Sequence, residues 1–309
     1  MTYKTESRRS DRLPHWLRRR IPSVSECSRV ERIIRKYDLH TICHEALCPN
    51  RAECYSKGKV TFNVLGDVCT RGCRFCSVTK GAPAPPDPRE VRHVALAAEE
   101  LGLDHVIVTS VTRDDLPDGG GAHFAAIVRE LRALEPRPAV EVLVPDFKGN
   151  RAALDTVLEA GPDILSHNVE TVPRLYEELR RGARYDRSLL LLERAKSQRK
   201  EVMTKSALIL GLGESREEVL DVCRDLRRAG CDFLAVGQYL RPGMEQVPVR
   251  EYIAPSSFQE VEKEAYGMGF LQVTAGPLVR SSYQEIRLGD YGRDRSVMCD
   301  TRDARRNVI

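Results

Sequence analysis

Lys59-Val-Thr-Phe-Asn-Val-Leu-Gly66 runs almost directly into Cys69-Thr-Arg-Gly-Cys73-Arg-Phe-Cys76. Val60, Phe62 and Val64 recur with the period of two that marks a half-buried strand. The thiols therefore fall at the C-terminal end of a strand, the end at which α/β barrels carry their chemistry. A second triplet stands just upstream, in Cys43-His-Glu-Ala-Leu-Cys48-Pro-Asn-Arg-Ala-Glu-Cys54. Six of the ten cysteines of the chain thus lie within 34 residues, where an even spread would place about one.

Thiolates at such short spacings converge on a soft metal centre, either zinc or an iron–sulfur cluster. Structural zinc is closed by four ligands, usually paired as two C-x2-C-like knuckles, and neither C-x4-C-x5-C nor C-x3-C-x2-C supplies that pairing. Three cysteines suit a four-iron cube with one iron left open. Zinc and plain core cysteines remain the alternatives at this point. Cys223 and Cys231 read as buried apolar thiols, Cys27 as inert, and Cys299, in a charged tail, is unassigned.

The chain has 309 residues, enough for one large α/β barrel. Its 49 basic and 45 acidic residues leave a net charge of +4, too mild to argue for nucleic acid but compatible with an acidic protein partner. No apolar run approaches the ~20 residues of a membrane span, and Met1 to Ser10 lacks the apolar core of a secretion signal. Cysteines at metal spacing rather than in a disulfide framework point to a reducing, cytoplasmic setting.

From residue 90 onward, helical and strand-like stretches alternate. Asp87-Pro88-x-Glu90 reads as a helix start, and Val91, Val94, Ala95, Ala98 and Leu101 form an apolar stripe that Gly102 ends. Strands are expected at 105–109, 140–144, 163–169, 202–210 and 231–238, with a final strand after Gly267. Helices are expected near 121–134, 150–160, 173–181 and 187–198. Ser215-x-x-Glu218 and Ser256-x-x-Gln259 read as caps of two more. The pattern predicts a parallel sheet with right-handed crossovers, curled into a partial (β/α)6 TIM-like barrel open on one side. At its mouth are expected Arg113-Asp-Asp-Leu-Pro-Asp118-Gly119-Gly120-Gly121, whose glycines would let backbone approach a ligand. His167-Asn168-Val169-Glu170-Thr171, Gly211-Leu-Gly-Glu214 and Gln238-Tyr-Leu-Arg241 complete a pocket.

These residues resemble the lipoyl synthase family of radical S-adenosylmethionine enzymes, over nearly the whole chain from Leu13 to Tyr283. The resemblance is carried by both triplets at family spacing, Arg113-Asp-Asp-Leu-x-Asp-Gly-Gly, His167-Asn-Val-Glu-Thr, Thr204-Lys205-Ser206, Gly211-Leu-Gly-Glu, Gly237-Gln-Tyr-Leu and Arg280-Ser281-Ser282-Tyr283. The chain departs from the family at Arg181, where proline is common, and at Glu285, where alanine is.

The resemblance implies two 4Fe–4S clusters. Cys69, Cys73 and Cys76 would hold the one that binds and reductively cleaves S-adenosylmethionine. Cys43, Cys48 and Cys54 would hold an auxiliary cluster whose fourth ligand is Ser282, with Ser281 as the alternative, and which is consumed as the sulfur source. Gly119, Gly120, Asn168 and Glu170 would contact S-adenosylmethionine. The implied reaction inserts sulfur at C6 and C8 of an octanoyl group on a carrier lysine. The implied partners are an octanoylated glycine cleavage H protein or dehydrogenase E2 subunit and a ferredoxin- or flavodoxin-type electron donor. Lys205, Arg241 and Arg280 are expected to steer an acidic carrier. The expected organisation is an N-terminal extension over 1–57, a barrel over 58–276 and a C-terminal extension over 277–309.

Overall fold

The computed structural model describes residues 13–18 and 23–283; residues 1–12, Cys299 and Glu285 lie outside them. The N-terminal part comprises α1 (Val24–Lys36), the short strand β1 (His40–Thr41), α2 (Ile42–Glu45) and α3 (Arg51–Ser56). The barrel begins with β2 (Thr61–Val64), and the parallel two-residue pair β3 (Val68–Cys69) and β4 (Thr79–Lys80) brackets the second cysteine triplet. There follow α4 (Glu90–Leu101), β5 (His105–Ser110), α5 (Gly121–Arg132), β6 (Ala139–Leu143), α6 (Arg151–Glu159) and β7 (Ile164–Ser166). The second half adds α7 (Tyr176–Leu179), α8 (Tyr185–Gln198), β8 (Met203–Leu210), α9 (Arg216–Arg228), β9 (Phe233–Gln238), α10 (Pro255–Gly267) and β10 (Gln272–Gly276).

The sheet order is β1-β2-β5-β6-β7-β8-β9-β10. Among the described residues only β1 runs antiparallel, against β2. Within the described residues six β/α units and the closing strand therefore give seven parallel strands in sequential order. Among the described residues β2 and β10 do not pair, so the barrel stays open between them.

The alternation in β2 has a clear cause. Phe62 and Val64 pack outward into the core beneath the helices, while Thr61 and Asn63 turn into the barrel, and all four are buried. Register carries that inner face round the sheet: Thr109 pairs with Leu143, Leu143 with Ser166, Ser166 with Lys205, Lys205 with Phe233.

Local signals at helix ends hold in part. Gly102 closes α4 in the left-handed conformation, at φ 67°, and Ser215 and Glu218 form a reciprocal capping box on α9. Two expected starts shift. Asp87 folds a turn of its own, accepting from the Arg89 N–H at 2.9 Å, and α4 begins three residues later. Ser256 lies inside α10, whose first turn is set by Pro255. Cys223 and Cys231 are fully buried, as expected, and the Cys27 thiol donates to the Ala52 carbonyl in the N-terminal core.

Candidate functional site

The first triplet owes its spacing to a helix end. Thr41 Oγ1 caps α2 by accepting from the His44 N–H at 3.3 Å. The helix then closes with two backbone bonds, Leu47 N–H to the His44 carbonyl at 3.0 Å and Cys48 N–H to the Cys43 carbonyl at 3.1 Å. That pair is a Schellman closure, and it folds Cys48 back over Cys43. The residue at its left-handed position is usually glycine, but here it is Leu47, at φ 48°. An L-residue in that conformation costs about 1–2 kcal/mol. One turn on, the Cys54 N–H donates to the Asn50 carbonyl at 2.9 Å, and α3 brings the third thiol round.

The chain beyond β10 returns across the open side of the barrel to meet this turn. Buried Asn50 donates from Nδ2 to the Leu278 carbonyl at 2.7 Å, and the Tyr283 hydroxyl reaches the Glu53 carboxylate on α3 at 3.2 and 3.3 Å. Val279 packs inside the barrel on Ala207 and Ala235. Gly237 must be glycine for this, because a Cβ there would run into the Val279 carbonyl.

The second triplet is held from the other side. Thr70 Oγ1 donates to the Thr112 carbonyl at 2.9 Å and accepts from the Asp114 N–H at 3.0 Å. Buried Arg71, between Cys69 and Cys73, forks onto Asp114 at 2.7 and 2.9 Å and onto Asp146 at 2.6 Å. Asp146 also takes Arg187 at 3.0 Å. Burial pushes the Asp146 carboxyl up, but Arg71 outweighs it and holds the group at about 2. The loop is therefore clamped by a charge-balanced chain of two carboxylates and two guanidinium groups. Ser77 Oγ, donating to the Glu45 carbonyl at 2.9 Å, ties it to α2.

Two cavities meet at the first triplet. One, of about 330 Å³, is lined by Cys43, Cys48, Cys54, Arg280, Ser282 and Tyr283 among others. The other, of about 570 Å³, fills the barrel mouth and shares Cys43, Cys48, Arg280 and Ser282 with the first. It adds Cys76, Asn168, Glu170 and Ser281. The two serines face different ways: Ser281 Oγ donates to Asn168 Oδ1 at 3.0 Å, whereas Ser282 borders both cavities beside the thiols.

Nine cysteines in the described residues are free thiols. Burial pushes Cys43 up to about 11 and Cys54 and Cys76 to about 12, and it raises Cys73 as well. As thiols these groups are neutral and suited to an apolar wall. As thiolates they need a positive centre, which a metal supplies while displacing their protons. Among the described residues no three His, Cys, Asp or Glu side chains close on one ion. Each thiolate of a four-iron cube binds its own iron, so a cube asks for no such convergence. Three soft donors per site, one set bordered by a hydroxyl, fit the clusters that the resemblance implies.

Of the expected cofactor residues, Asn168 and Glu170 reach the larger cavity. Glu170 sits at φ 63°, pinned by its N–H to the Ala207 carbonyl at 2.9 Å and by Ile209 N–H to its own carbonyl at 2.8 Å. Such strain in a non-glycine residue collects at functional sites. Burial raises its carboxyl. Gly119 and Gly120 line neither cavity. A Cβ on Gly119 would press on Phe147 at 3.1 Å and one on Gly120 would collide with Leu65, so the backbone approach they permit is to neighbouring side chains. His167 is also turned away: its Nδ1 bonds the Val144 carbonyl at 2.8 Å and its Nε2 the Ser188 hydroxyl at 2.9 Å. Burial pushes its pKa down to about 4, so it is a neutral structural pin.

Lys205 cannot steer a partner at the mouth. It is 4% exposed, one layer below the cavity, and its ammonium lies 3.0 and 3.3 Å from the buried Glu141 carboxylate. Arg241 is committed to its own loop, donating from Nε to the Gln246 carbonyl at 2.8 Å. The sequence reading missed Arg180. Its Nη1 donates to the Asn168 and Val169 carbonyls, each at 3.1 Å, and to the Tyr176 hydroxyl at 2.8 Å, while its buried Nε has no hydrogen-bond partner among the described residues. The cation faces both Cys73 and Glu170, where it favours thiolate and carboxylate. Its position one helical turn after Tyr176 was the available signal.

Comparison with known proteins places the chain. The family profile described as the Radical SAM superfamily matches residues 63–226, and that of the N-terminal domain of lipoyl synthase matches residues 2–48. A lipoyl synthase of Caldanaerobacter subterraneus subsp. tengcongensis is 52% identical over 88% of this chain and 95% of its own length. One from Alkaliphilus metalliredigens is 48% identical over 88% and 94%. Among solved structures, methylornithine synthase aligns with a TM-score of 0.52 at 15% identity, covering 90% of this chain and 86% of its own. SuiB of Streptococcus suis, bound to its precursor peptide, aligns with 0.54 at 12% identity, covering 81% and 52%. At those identities the two structures show the fold alone.

Proposed function

The chain belongs to the lipoyl synthase family of radical S-adenosylmethionine enzymes, and from that premise we propose which of its residues carry each part of the reaction. The reaction is the radical insertion of two sulfur atoms at C6 and C8 of an octanoyl group bound to a carrier lysine, with S-adenosylmethionine as radical source and an auxiliary 4Fe–4S cluster as sulfur source. Carbon–hydrogen bonds that lack an acidic proton give a general base nothing to remove, which is why cofactor radical chemistry is required.

Cys69, Cys73 and Cys76 hold the cluster that engages S-adenosylmethionine. Arg71 keeps their loop in register, and Asn168 and Glu170 orient the cofactor's polar groups, with Arg180 beside them to balance charge. Cys43, Cys48 and Cys54 hold the auxiliary cluster. Ser282 completes that set: it borders both cavities beside the thiols, whereas Ser281 is spent on Asn168. A hydroxyl is a hard donor among soft ones, so Ser282 would be the weakest of the four ligands. The observation that carries this reading is that both triplets reach a single cavity, which Cys43 and Cys48 of the first and Cys76 of the second line together. We assign residues 1–57 and 277–309 to extensions of a 58–276 barrel, because within their described parts Asn50 and Tyr283 join the two across its open side; residues 1–12, 19–22 and 284–309 lie outside the described ones.

Carriers of the glycine cleavage H protein or dehydrogenase E2 type and a ferredoxin- or flavodoxin-type donor suit this chemistry. Among the described residues no helix is long and apolar enough to cross a membrane. The deciding experiment is an anaerobic assay with an octanoyl-lysyl peptide. Mass gain from sulfur together with 5′-deoxyadenosine is expected, and deoxyadenosine without sulfur transfer would refute the reading. The serine assignment is tested separately. Ser282→Ala is expected to lose the auxiliary cluster's iron faster under a chelator, by about tenfold or more, while Ser281→Ala retains it. The reverse order would hand the ligand to Ser281.

A further inference from the structure

Among the described residues five large apolar side chains are exposed: Leu13, Leu47, Leu190, Met244 and Tyr266. Three of these five gather at one place. Leu13 and Leu47 line the larger cavity at its opening. Met244, 84% exposed, folds against Arg241, itself a lining residue. The loop that carries Met244 is fixed rather than loose, since Arg241 bonds the Gln246 and Met244 carbonyls and Gln246 Nε2 donates to the Cys76 carbonyl at 3.4 Å.

Leu47 is the telling member. It occupies the left-handed closing position of α2, where glycine would be free of strain, and it is 56% exposed. The backbone therefore carries a strained conformation to hold an apolar side chain that the isolated chain leaves largely in water. Neither cost is returned within the described residues. A surface that covered Leu47 would return both, by removing apolar area from water.

We propose that Leu47, Met244 and Leu13 form the docking rim for the folded carrier domain that presents the octanoyl-lysine. This rests on the function read above and deepens it. The acyl chain is tethered to a protein, and the larger cavity reaches the surface at the exposed Leu13 and Leu47, with Arg241, which carries the Met244 contact, on its lining. Delivering the lysine arm through that opening lays the carrier's own surface on the rim. Apolar anchors on fixed loops bind such a surface with little ordering cost.

The test compares one holoenzyme with two substrates, an octanoylated glycine cleavage H protein and a free octanoyl-lysyl peptide. Both are followed anaerobically by binding and by single-turnover thiolation. Leu47→Gly and Met244→Asp are each expected to weaken carrier binding about tenfold or more beyond any change with the peptide. Leu47→Gly should also keep or raise the melting temperature, because glycine relieves the strained turn. Equal losses with carrier and peptide, or no loss with either, would overturn the proposal. If the unaltered enzyme thiolates neither substrate, the function reading fails instead.

Discussion

Cys48→Ala is expected to split the two halves of the reaction: the variant still makes 5′-deoxyadenosine from S-adenosylmethionine, while sulfur insertion collapses. The second triplet stands on anchors that Cys48 does not touch, namely Thr70 on Thr112 and Arg71 on Asp114 and Asp146. Removing Cys48 leaves that loop and its three thiols in place. The first triplet has no such reserve, because Cys48 is the thiol that the Schellman closure folds over Cys43. With it gone, two thiols and a hydroxyl remain. Thiolated product should fall by roughly 10³-fold or more, the scale seen when one member of an interdependent set is removed. Mass spectrometry of the peptide and chromatography of the nucleoside report the two halves side by side. Wild-type thiolation by this variant would abolish the division between the two sites.

Lys205→Met carries the largest expected effect on stability. Lys205 and Glu141 are 4% and 1% exposed and face each other inside the barrel. Glu141 also accepts from Ser166 Oγ at 2.7 Å. Burial would push the carboxyl up, but the Lys205 ammonium, with His105 and Ser166, lowers it from its ordinary 4.5 to about 2. Removing only the cation leaves a buried charge uncompensated and should cost about 3–5 kcal/mol. The double variant Glu141→Leu/Lys205→Met should recover most of that, since well-packed apolar replacements of buried pairs are close to neutral. Denaturant titration of all four proteins closes the cycle. Additive losses would show that the pair is not coupled. The sign of the pH dependence follows. A carboxyl with a lowered folded-state value adds stability above its ordinary value and loses it as pH falls through the folded one. The wild type should therefore lose the pair's contribution between about pH 4.5 and 2, and the double variant should lack that loss.

Much of the architecture was legible because it rests on local signals. The two-residue period of 60–64, the capping box at Ser215 and Glu218 and the glycine stop at 102 each placed an element. The six thiols were legible for the same reason, since their spacing is the geometry of a helix end and a tight loop. What stayed hidden depends on depth and on distant partners. Lys205 and Ala207 share a strand and an inner face, yet one lies a layer below the cavity and the other on its wall, and periodicity carries no depth. His167 and Asn168 are adjacent but face a core hydroxyl and the cavity respectively. Gly119 and Gly120, read as a close backbone approach to a ligand, pack against Phe147 and Leu65 in the structure. Arg71 lay in plain view between two cysteines, and its partners are 43 and 75 residues away.

The Asn50–Leu278 bond spans 228 residues of sequence, which sets a timetable for biosynthesis. Both cysteine sets leave the ribosome early, yet the Tyr283 hydroxyl that clasps Glu53 follows it by 230 residues, with Ser282 beside it. At ~5–20 residues per second the interval is roughly 10–50 s. A nascent chain therefore carries both sets of thiols long before either cavity that they border is closed, since Arg280 and Ser282 line both.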